Sequence, residues 1–148
     1  NYAYVVNEGN QTVIQCTVGA GGALTGCGST GSGFSNPYGI TLSPDGSQVY
    51  VANFSNPGGA AGTTVTQCSV GATTGALTCG AAYAPTGLSL NGPWEVALSA
   101  DDLYAYVTNF SNSTVYQCSV DATTRVLSNC ANTATGTGFS SPTGILFN

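Results

Sequence analysis

Apolar and polar residues alternate along short stretches of this chain, and Gly, Asn, Asp and Pro separate one stretch from the next. The stretches are rich in Val, Thr and Tyr, which is the composition typical of β-strands. A period of two indicates a strand with one buried face. No stretch combines helical apolar spacing with the capping residues that begin and end a helix. The pattern therefore predicts an all-β chain.

The same series of stretches occurs three times along the chain. Each unit holds a Tyr-Val-x-Asn tetrapeptide, a Thr-Val-x-Gln-Cys stretch, a Gly- or Thr-rich turn, a second cysteine and a proline near its end. We place the repeats at about 1–46, 47–101 and 102–148, within one repeat domain. A four-stranded unit of about 50 residues is the period of a β-propeller blade. The predicted fold class is therefore all-β, with three four-stranded antiparallel blades.

Two stretches resemble the YVTN β-propeller repeat family. Residues 106–109 are the tetrapeptide that names the family, and residues 39–53 resemble the inner hairpin of its repeat. This resemblance implies a microbial surface-layer or secreted propeller, or a lactonase-like seven-bladed enzyme. The paired cysteines and the near absence of charge depart from the usual repeat. The resemblance is more informative about the fold than about the function.

Each repeat contains two cysteines, at positions that a blade would place on its third and outermost strands. Across that hairpin, Cβ atoms approach the distance of a disulfide. Zinc is the alternative, but it needs four ligands close together, and the chain has no histidine and no Cys-x-x-Cys motif. We predict disulfides, and with them an oxidising, extracellular location. The pairs are Cys16 with Cys27, Cys68 with Cys79, and Cys118 with Cys130.

Charged residues make up 5% of the chain, with one cation, Arg125, and a net charge of −5. Nucleic acids and anionic membranes bind clustered Lys and Arg, so neither is a predicted partner. No apolar run approaches the roughly 20 residues of a membrane-spanning helix, so membrane insertion is not expected.

Four Asn-x-Ser/Thr sequons occur in the chain, and attached glycans would help to keep such a weakly charged surface in solution. The alternative is that these asparagines serve turns and carry no sugar. We predict covalent glycans at Asn10, Asn53, Asn109 and Asn112.

The first repeat lacks an inner strand, and the third repeat is followed by one. Residues 2–7 align with the second strand of a blade, and residues 143–147 align with the innermost strand. Three blades are too few to close a ring. We therefore expect copies of the chain to join head-to-tail as a ring or filament, with residues 143–147 completing the first blade of the next copy. The assembly residues would be Tyr2, Tyr4, Val6, Ile145 and Phe147; the alternative is a piece of a longer repeat protein.

The sequence contains few residues of the usual catalytic types. Without histidine or lysine it can form neither a Ser-His-Asp triad nor a Schiff base, and bonded cysteines supply no thiolate. We predict no catalytic residue, no metal site and no cofactor. The acidic residues Asp45, Asp101, Asp102 and Asp121 are interpreted as turn residues.

Trp94 and Glu95 are a possible ligand-binding pair. Glu95 takes the place that Gly39 and Gly144 hold in the other repeats, on a strand that would line the channel of a propeller. An indole beside a carboxylate can hold a sugar by stacking and hydrogen bonding. The alternative is that Trp94 fills a space between blades and Glu95 caps a backbone group.

These observations favour an extracellular structural protein that assembles with copies of itself and is not an enzyme. The alternative is a carbohydrate- or small-ligand-binding propeller module made of two copies, which would form a six-bladed ring. A lactonase-like enzyme is the third interpretation.

Overall fold

A computed structural model describes residues 1–55, 61–133 and 138–147 of the chain. Within these residues the chain forms strands and one 3₁₀ turn, Ala20–Gly22. The strands are β1 (Tyr2–Asn7), β2 (Thr12–Val18), β3 (Leu24–Thr30), β4 (Pro37–Leu42), β5 (Gln48–Ser55), β6 (Ala61–Val70), β7 (Leu77–Cys79), β8 (Pro93–Leu98), β9 (Tyr104–Asn109), β10 (Thr114–Val120) and β11 (Leu127–Asn132). No helix in the described ranges is long and apolar enough to cross a membrane.

The strands form three antiparallel sheets, in which strands that are consecutive in the chain lie side by side. The first sheet has three strands, β1-β2-β3; the second is β4-β5-β6-β7 and the third is β8-β9-β10-β11. The predicted all-β architecture of three blades is thus confirmed, and the first blade lacks an inner strand.

The core lies between neighbouring blades, and the second blade is buried on both faces. Val49 and Val51 of β5 pack with Val13 of the first blade. Tyr50 and Ala52, which alternate with them, pack with residues of the third blade. Side chains along a strand point to opposite faces in turn, so one strand serves both cores. Each fully buried valine or larger apolar side chain stabilises the fold by about 1.5–3 kcal/mol.

Three disulfides join the third strand of each blade to its outermost strand. They are Cys16–Cys27, Cys68–Cys79 and Cys118–Cys130, as the sequence predicts, and no cysteine is free. Disulfides persist in oxidising compartments, so a secreted or periplasmic location is indicated.

Three of the aspartates serve turns, as predicted. The carboxylates of Asp45, Asp101 and Asp121 accept hydrogen bonds from the backbone N–H groups two residues further along the chain. For Asp45, bonds from the Ser43 and Ser47 side chains and from the Ser47 N–H lower the pKa to about 2. Asp102 instead forms an ion pair with Arg125.

Residues 143–147 form no strand within the single chain, and their predicted pairing with another chain stays a prediction. A strand is defined by hydrogen bonds to a neighbour, and no strand of the described chain lies beside this segment. The ring of Phe147 in this segment lies 4.6 Å from the ring of Tyr106, which is on β9. The segment is therefore placed by side-chain packing rather than by strand pairing.

Candidate functional site on the inner strands

The inner strands β4 and β8 approach each other most closely at Gly39. A Cβ atom built on Gly39 would lie 2.6 Å from the Cα atom of Glu95 and would overlap the carbonyl oxygen of Trp94. No side chain fits between backbones at this separation, so a glycine is required here. The close approach brings the Trp94–Glu95 pair against the neighbouring blade.

Glu95 extends its carboxyl group over this contact. Its Oε1 atom would lie 3.0 Å from a Cβ on Gly39, and its backbone N–H donates to Thr108 Oγ1 at 3.0 Å. The side chain is half-buried, and burial raises the pKa of the carboxyl, while a hydrogen bond from the Val96 N–H opposes the shift. A carboxylate whose pKa is moved toward neutrality is suited to proton transfer.

Four half-buried aromatic side chains form a cluster next to Glu95, referred to below as the aromatic cluster. The Trp94 ring stacks on Phe110 with centroids 5.0 Å apart, and it lies 4.4 Å from the Tyr38 ring. Phe54 lies 5.2 Å from the Trp94 ring and completes the cluster. Tilted and offset arrangements of this kind stabilise aromatic pairs by about 0.5–1.5 kcal/mol each. The cluster joins the second blade to the third and presents apolar faces at one end of the inner strands.

Asn53 and Asn109 lie at the ends of β5 and β9 and are fully buried. The Asn53 side-chain oxygen accepts from the Ser35 N–H at 3.1 Å, and its amide nitrogen donates to Thr66 Oγ1 at 3.0 Å. In the third blade, the Asn109 oxygen accepts from the Asn91 N–H at 2.8 Å. Each asparagine thus fixes the segment that enters its own blade.

The predicted glycans at Asn53 and Asn109 are therefore wrong for the folded protein. A glycan is attached to the side-chain nitrogen, and in both residues this nitrogen is buried and already hydrogen-bonded. The sequences match the sequon because a buried asparagine is followed by an aromatic residue and a serine. Asn10 and Asn112 are exposed, and glycosylation at these two positions remains a prediction.

The structure confirms that Trp94 and Glu95 lie together on an inner strand, and it adds three residues that sequence reasoning missed. Tyr38, Phe54 and Phe110 surround Trp94. A signal for them was available, since an aromatic residue follows the inner-strand proline in two repeats and follows the buried asparagine in two repeats.

A cleft of about 600 Å³ lies away from Trp94 and Glu95, between the second and third blades, where Gln48, Gln67 and Tyr83 line it. Among the described residues, no group of three or more His, Cys, Asp or Glu side chains is placed to hold a metal ion. The chemistry available on the inner strands β4 and β8 is therefore one half-buried carboxylate, on the strand that also carries Trp94.

We expect the substitution Gly39→Ala to lower the free energy of unfolding by about 1–3 kcal/mol, the usual cost of overpacking. The added methyl meets backbone atoms of Trp94 and Glu95, which cannot rotate away. Urea denaturation measures the change. Gly9→Ala is the control, because a Cβ there meets nothing within 4 Å. Equal stabilities for the two variants would show that β4 and β8 are not in close contact.

Comparison with known proteins identifies the family. The chain matches the family model "Lactonase, 7-bladed beta-propeller" over residues 1–142. It belongs to the family of seven-bladed β-propeller lactonases. No curated protein sequence matches the chain. The match confirms that the repeats are those of a propeller, although the family is that of the lactonases rather than the YVTN repeat.

Solved structures share the fold of this lactonase-family chain. A candidate 6-phosphogluconolactonase from Bacteroides fragilis has a TM-score of 0.72 at 22% identity, covering 96% of this chain and 37% of that one. The periplasmic gluconolactonase of Pseudomonas aeruginosa has a TM-score of 0.70 at 18% identity, covering 88% of this chain and 35% of that one. A protein of unknown function from Desulfotomaculum acetoxidans has a TM-score of 0.63 at 25% identity, with coverages of 81% and 34%. The chain thus spans little more than a third of each, and the likeness shows the fold alone.

The prediction that the protein is not an enzyme is wrong, because the family match points to a lactonase-type enzyme. The interpretation as a structural filament protein is likewise not the one that the comparisons favour. Both inferences gave too much weight to the missing histidine, lysine and thiol. Opening a lactone needs an activated water, and a single carboxylate can supply it.

Proposed function

We propose that the protein contributes to the hydrolysis of an uncharged sugar lactone, with Glu95 as the general base. The observation that carries the proposal is the half-buried carboxyl of Glu95 on an inner strand of a chain that matches the lactonase family over residues 1–142. The other carboxylates are occupied or lie in exposed turns. Asp45, Asp101 and Asp121 accept turn hydrogen bonds, and Asp102 pairs with Arg125.

The proposed reaction begins with a water molecule held by the Glu95 carboxylate. As the water oxygen attacks the lactone carbonyl carbon, the carboxylate takes its proton. Collapse of the tetrahedral intermediate breaks the bond between the carbonyl carbon and the ring oxygen. The leaving alkoxide then takes the proton from Glu95, which gives a hydroxy acid and restores the carboxylate. Burial supports this role, because a raised pKa makes the carboxylate a stronger base than an exposed one.

The aromatic cluster supports binding of a sugar-derived ring. The C–H face of a sugar lactone is apolar and packs on flat aromatic side chains, while its hydroxyl groups need polar partners. Trp94 and Tyr38 are half-buried beside Glu95, so they retain exposed surface for such a contact. A lactone bound on these rings would lie at the end of β8 that carries Glu95.

The negative net charge of the chain favours an uncharged substrate over a phosphorylated one. The chain has one cation, Arg125, and its net charge is −5. Arg125 is engaged in the ion pair with Asp102, and it lies on the outer part of the third blade rather than on an inner strand. A phosphate group would therefore find no cation near Glu95 and would be repelled by the protein as a whole.

A sugar-binding function without hydrolysis is the second candidate, and the aromatic cluster is the observation that favours it. The two candidates differ in what Glu95 does. For a binding module, its carboxylate would accept hydrogen bonds from hydroxyl groups and no product would form.

Hydrolysis of glucono-1,5-lactone and of its 6-phosphate, followed by acid release and corrected for the spontaneous reaction, tests the proposal. We expect catalysis with both lactones and a kcat/KM at least about tenfold higher for the uncharged one, because the negative protein repels the phosphate. A preference for the phosphorylated lactone would contradict the substrate assignment. Saturable binding without acid release would favour the sugar-binding module, and neither binding nor hydrolysis would overturn both candidates.

A further inference from the structure

The cleft between the second and third blades is lined by residues that none of the functions above uses. It has a volume of about 600 Å³ and is referred to below as the interblade cleft. Both of the blades beside it are complete four-stranded sheets. Small-molecule sites are clefts of about 300–1,000 Å³, so the interblade cleft has the size of such a site. Its lining includes the amides of Gln48 and Gln67, the hydroxyl groups of Ser69 and Thr78, and the side chains of Tyr83 and Val126.

Gln67 joins the two sides of the interblade cleft. Its Nε2 atom donates to the backbone carbonyl of Thr124, in the last turn of the third blade, at 3.1 Å. The same atom donates to Oε1 of Gln48, on the neighbouring strand, at 3.0 Å. A backbone carbonyl only accepts hydrogen bonds, so the amide nitrogen is the atom that faces Thr124, and both of its hydrogens are used. The Oε1 atom of Gln67 accepts from no described residue and remains available to a ligand.

Gln48 and Tyr83 supply donors to the same cleft. Gln48 is bonded through Oε1, and its Nε2 atom donates to no described residue. The Tyr83 hydroxyl accepts from the Leu127 N–H at 3.1 Å, which leaves its own hydrogen to donate. Both side chains are half-buried and keep some exposed surface. The interblade cleft therefore combines an acceptor with two kinds of donor.

The described lining of the interblade cleft carries no charged side chain. Arg125 lies in the adjoining turn, but its guanidinium pairs with Asp102, and its carbonyl accepts from the Tyr50 hydroxyl. A charged ligand would lose water without gaining a counter-charge, and an apolar ligand would cover the glutamine amides without pairing them. The lining therefore favours a neutral ligand with many hydrogen-bonding groups.

The backbone of β6 beside the cleft is already paired. The Gln67 carbonyl accepts from the Gly80 N–H at 3.0 Å, and Val65 exchanges two backbone hydrogen bonds with Tyr83. An extended peptide that adds to a sheet needs an edge with free backbone groups, and β6 offers none here. This arrangement favours a ligand recognised by side chains over an added peptide strand.

An equivalent cleft of about 460 Å³ lies between the first and second blades. Gln15 holds the position of Gln67 and donates to the Thr74 carbonyl at 2.6 Å. Hydroxyl groups and glycines form most of the remaining lining, which is again uncharged among the described residues. Tyr2 takes the position of Gln48, so this cleft offers an aromatic ring where the other offers an amide. A polar, uncharged cleft between neighbouring blades is thus a feature of the repeat.

We propose that the interblade cleft binds a neutral carbohydrate, at a site separate from Trp94 and Glu95. Hydroxyl groups of the sugar donate to Oε1 of Gln67 and accept from Nε2 of Gln48. The exposed side chain of Val126 packs on the apolar C–H face of the sugar ring. The site contains none of the residues assigned to lactone hydrolysis, so the two proposals are independent.

Nuclear magnetic resonance of the ¹⁵N-labelled full chain tests the site, because glutamine side-chain amide signals are observed directly. The probes are the neutral disaccharides maltose, cellobiose, lactose and chitobiose, each titrated separately. We expect at least one of them to shift the side-chain signals of Gln48 and Gln67, and the backbone signal of Gly80, in a saturable manner. No shift with any of the four, or shifts confined to Trp94 and its neighbours, would overturn the proposal.

A neutral peptide, acetyl-Ser-Asn-Gly-Ser-amide, is the control for ligand class. It offers amides and hydroxyl groups without a sugar ring, and we expect it to leave the glutamine signals unchanged. A peptide that shifts these signals as strongly as the disaccharides would overturn the assignment to carbohydrate.

The variant Gln67→Ala is expected to weaken binding of the disaccharide that shifts these signals by about three- to tenfold, the contribution of one hydrogen bond between neutral groups. Gln117→Ala is the matched control, because Gln117 holds the same position in the third blade, donates to the Tyr106 hydroxyl and lines neither cleft. An equal loss of affinity in the two variants would contradict the site. Because Gln67 also bonds the two blades together, Thr78→Arg provides a second test at an exposed position of the lining. Its long side chain is expected to block the cleft and abolish binding, and unchanged affinity would overturn the proposal.

Discussion

Replacing Glu95 with glutamine is expected to lower kcat for lactone hydrolysis by about 10²- to 10⁴-fold, the usual contribution of a general base. Glutamine keeps the size of the side chain and its contact with Gly39, but an amide does not accept the proton of the attacking water. Steady-state kinetics with glucono-1,5-lactone measures the loss. KM is expected to change little, because the aromatic cluster is intact.

Glu8→Gln is the matched control for this substitution. Glu8 is an exposed turn residue, and its replacement removes the same charge from the chain without touching the inner strands. We expect it to leave kcat unchanged. An equal loss of kcat in both variants would mean that the change in net charge causes the loss and that Glu95 is not the base.

The Glu95→Gln substitution is also expected to stabilise the fold at neutral pH. Burial raises the folded-state pKa of Glu95 above its ordinary value of 4.5, so the folded state binds this proton more tightly than the unfolded state. The free energy of unfolding therefore falls as pH rises from the ordinary value through the raised pKa, and glutamine removes that fall. The advantage of the variant should disappear at pH values below 4.5. A variant that gains stability while losing activity marks a position selected for function.

The substitution Asn109→Ala is expected to lower the free energy of unfolding by about 3 kcal/mol. It leaves the part-buried Asn91 N–H without its acceptor and creates a cavity where the fully buried amide of Asn109 lay, and a buried unsatisfied group alone costs about 1–3 kcal/mol. Urea denaturation of protein made without N-glycosylation measures the change.

Asn112→Ala is the control for Asn109→Ala, because Asn112 is an exposed asparagine of the same sequence region and also belongs to a sequon. Its replacement is expected to change the free energy of unfolding by less than about 0.5 kcal/mol. Equal effects of the two substitutions would show that Asn109 is not a buried structural residue in solution.

The fold was readable from the sequence because its determinants are local and repeated. The period of two in stretches such as Thr114–Val120 defines the strands, and the recurrence of a cysteine pair at separations of 11, 11 and 12 residues marks the three blades. Glu95 stood out because it replaces the glycine of the other repeats. These sequence features can be recognised without knowing which blade packs on which.

The misjudged features depend on contacts between segments distant in sequence. Burial decides that Asn53 and Asn109 are structural residues rather than glycan sites, and a sequon does not record burial. Likewise, the aromatic cluster forms only when β4 and β8 lie side by side. A segment such as residues 143–147 becomes a strand only beside a partner strand, which its own sequence cannot supply.

The pH dependence of kcat/KM for glucono-1,5-lactone, corrected for spontaneous hydrolysis, tests the central claim most directly. The account predicts that kcat/KM falls at low pH with one ionisation above 4.5, the ordinary pKa of glutamate, and that this ionisation is absent in Glu95→Gln. A profile without that ionisation, or one that Glu95→Gln retains, would contradict the assignment of Glu95 as the base.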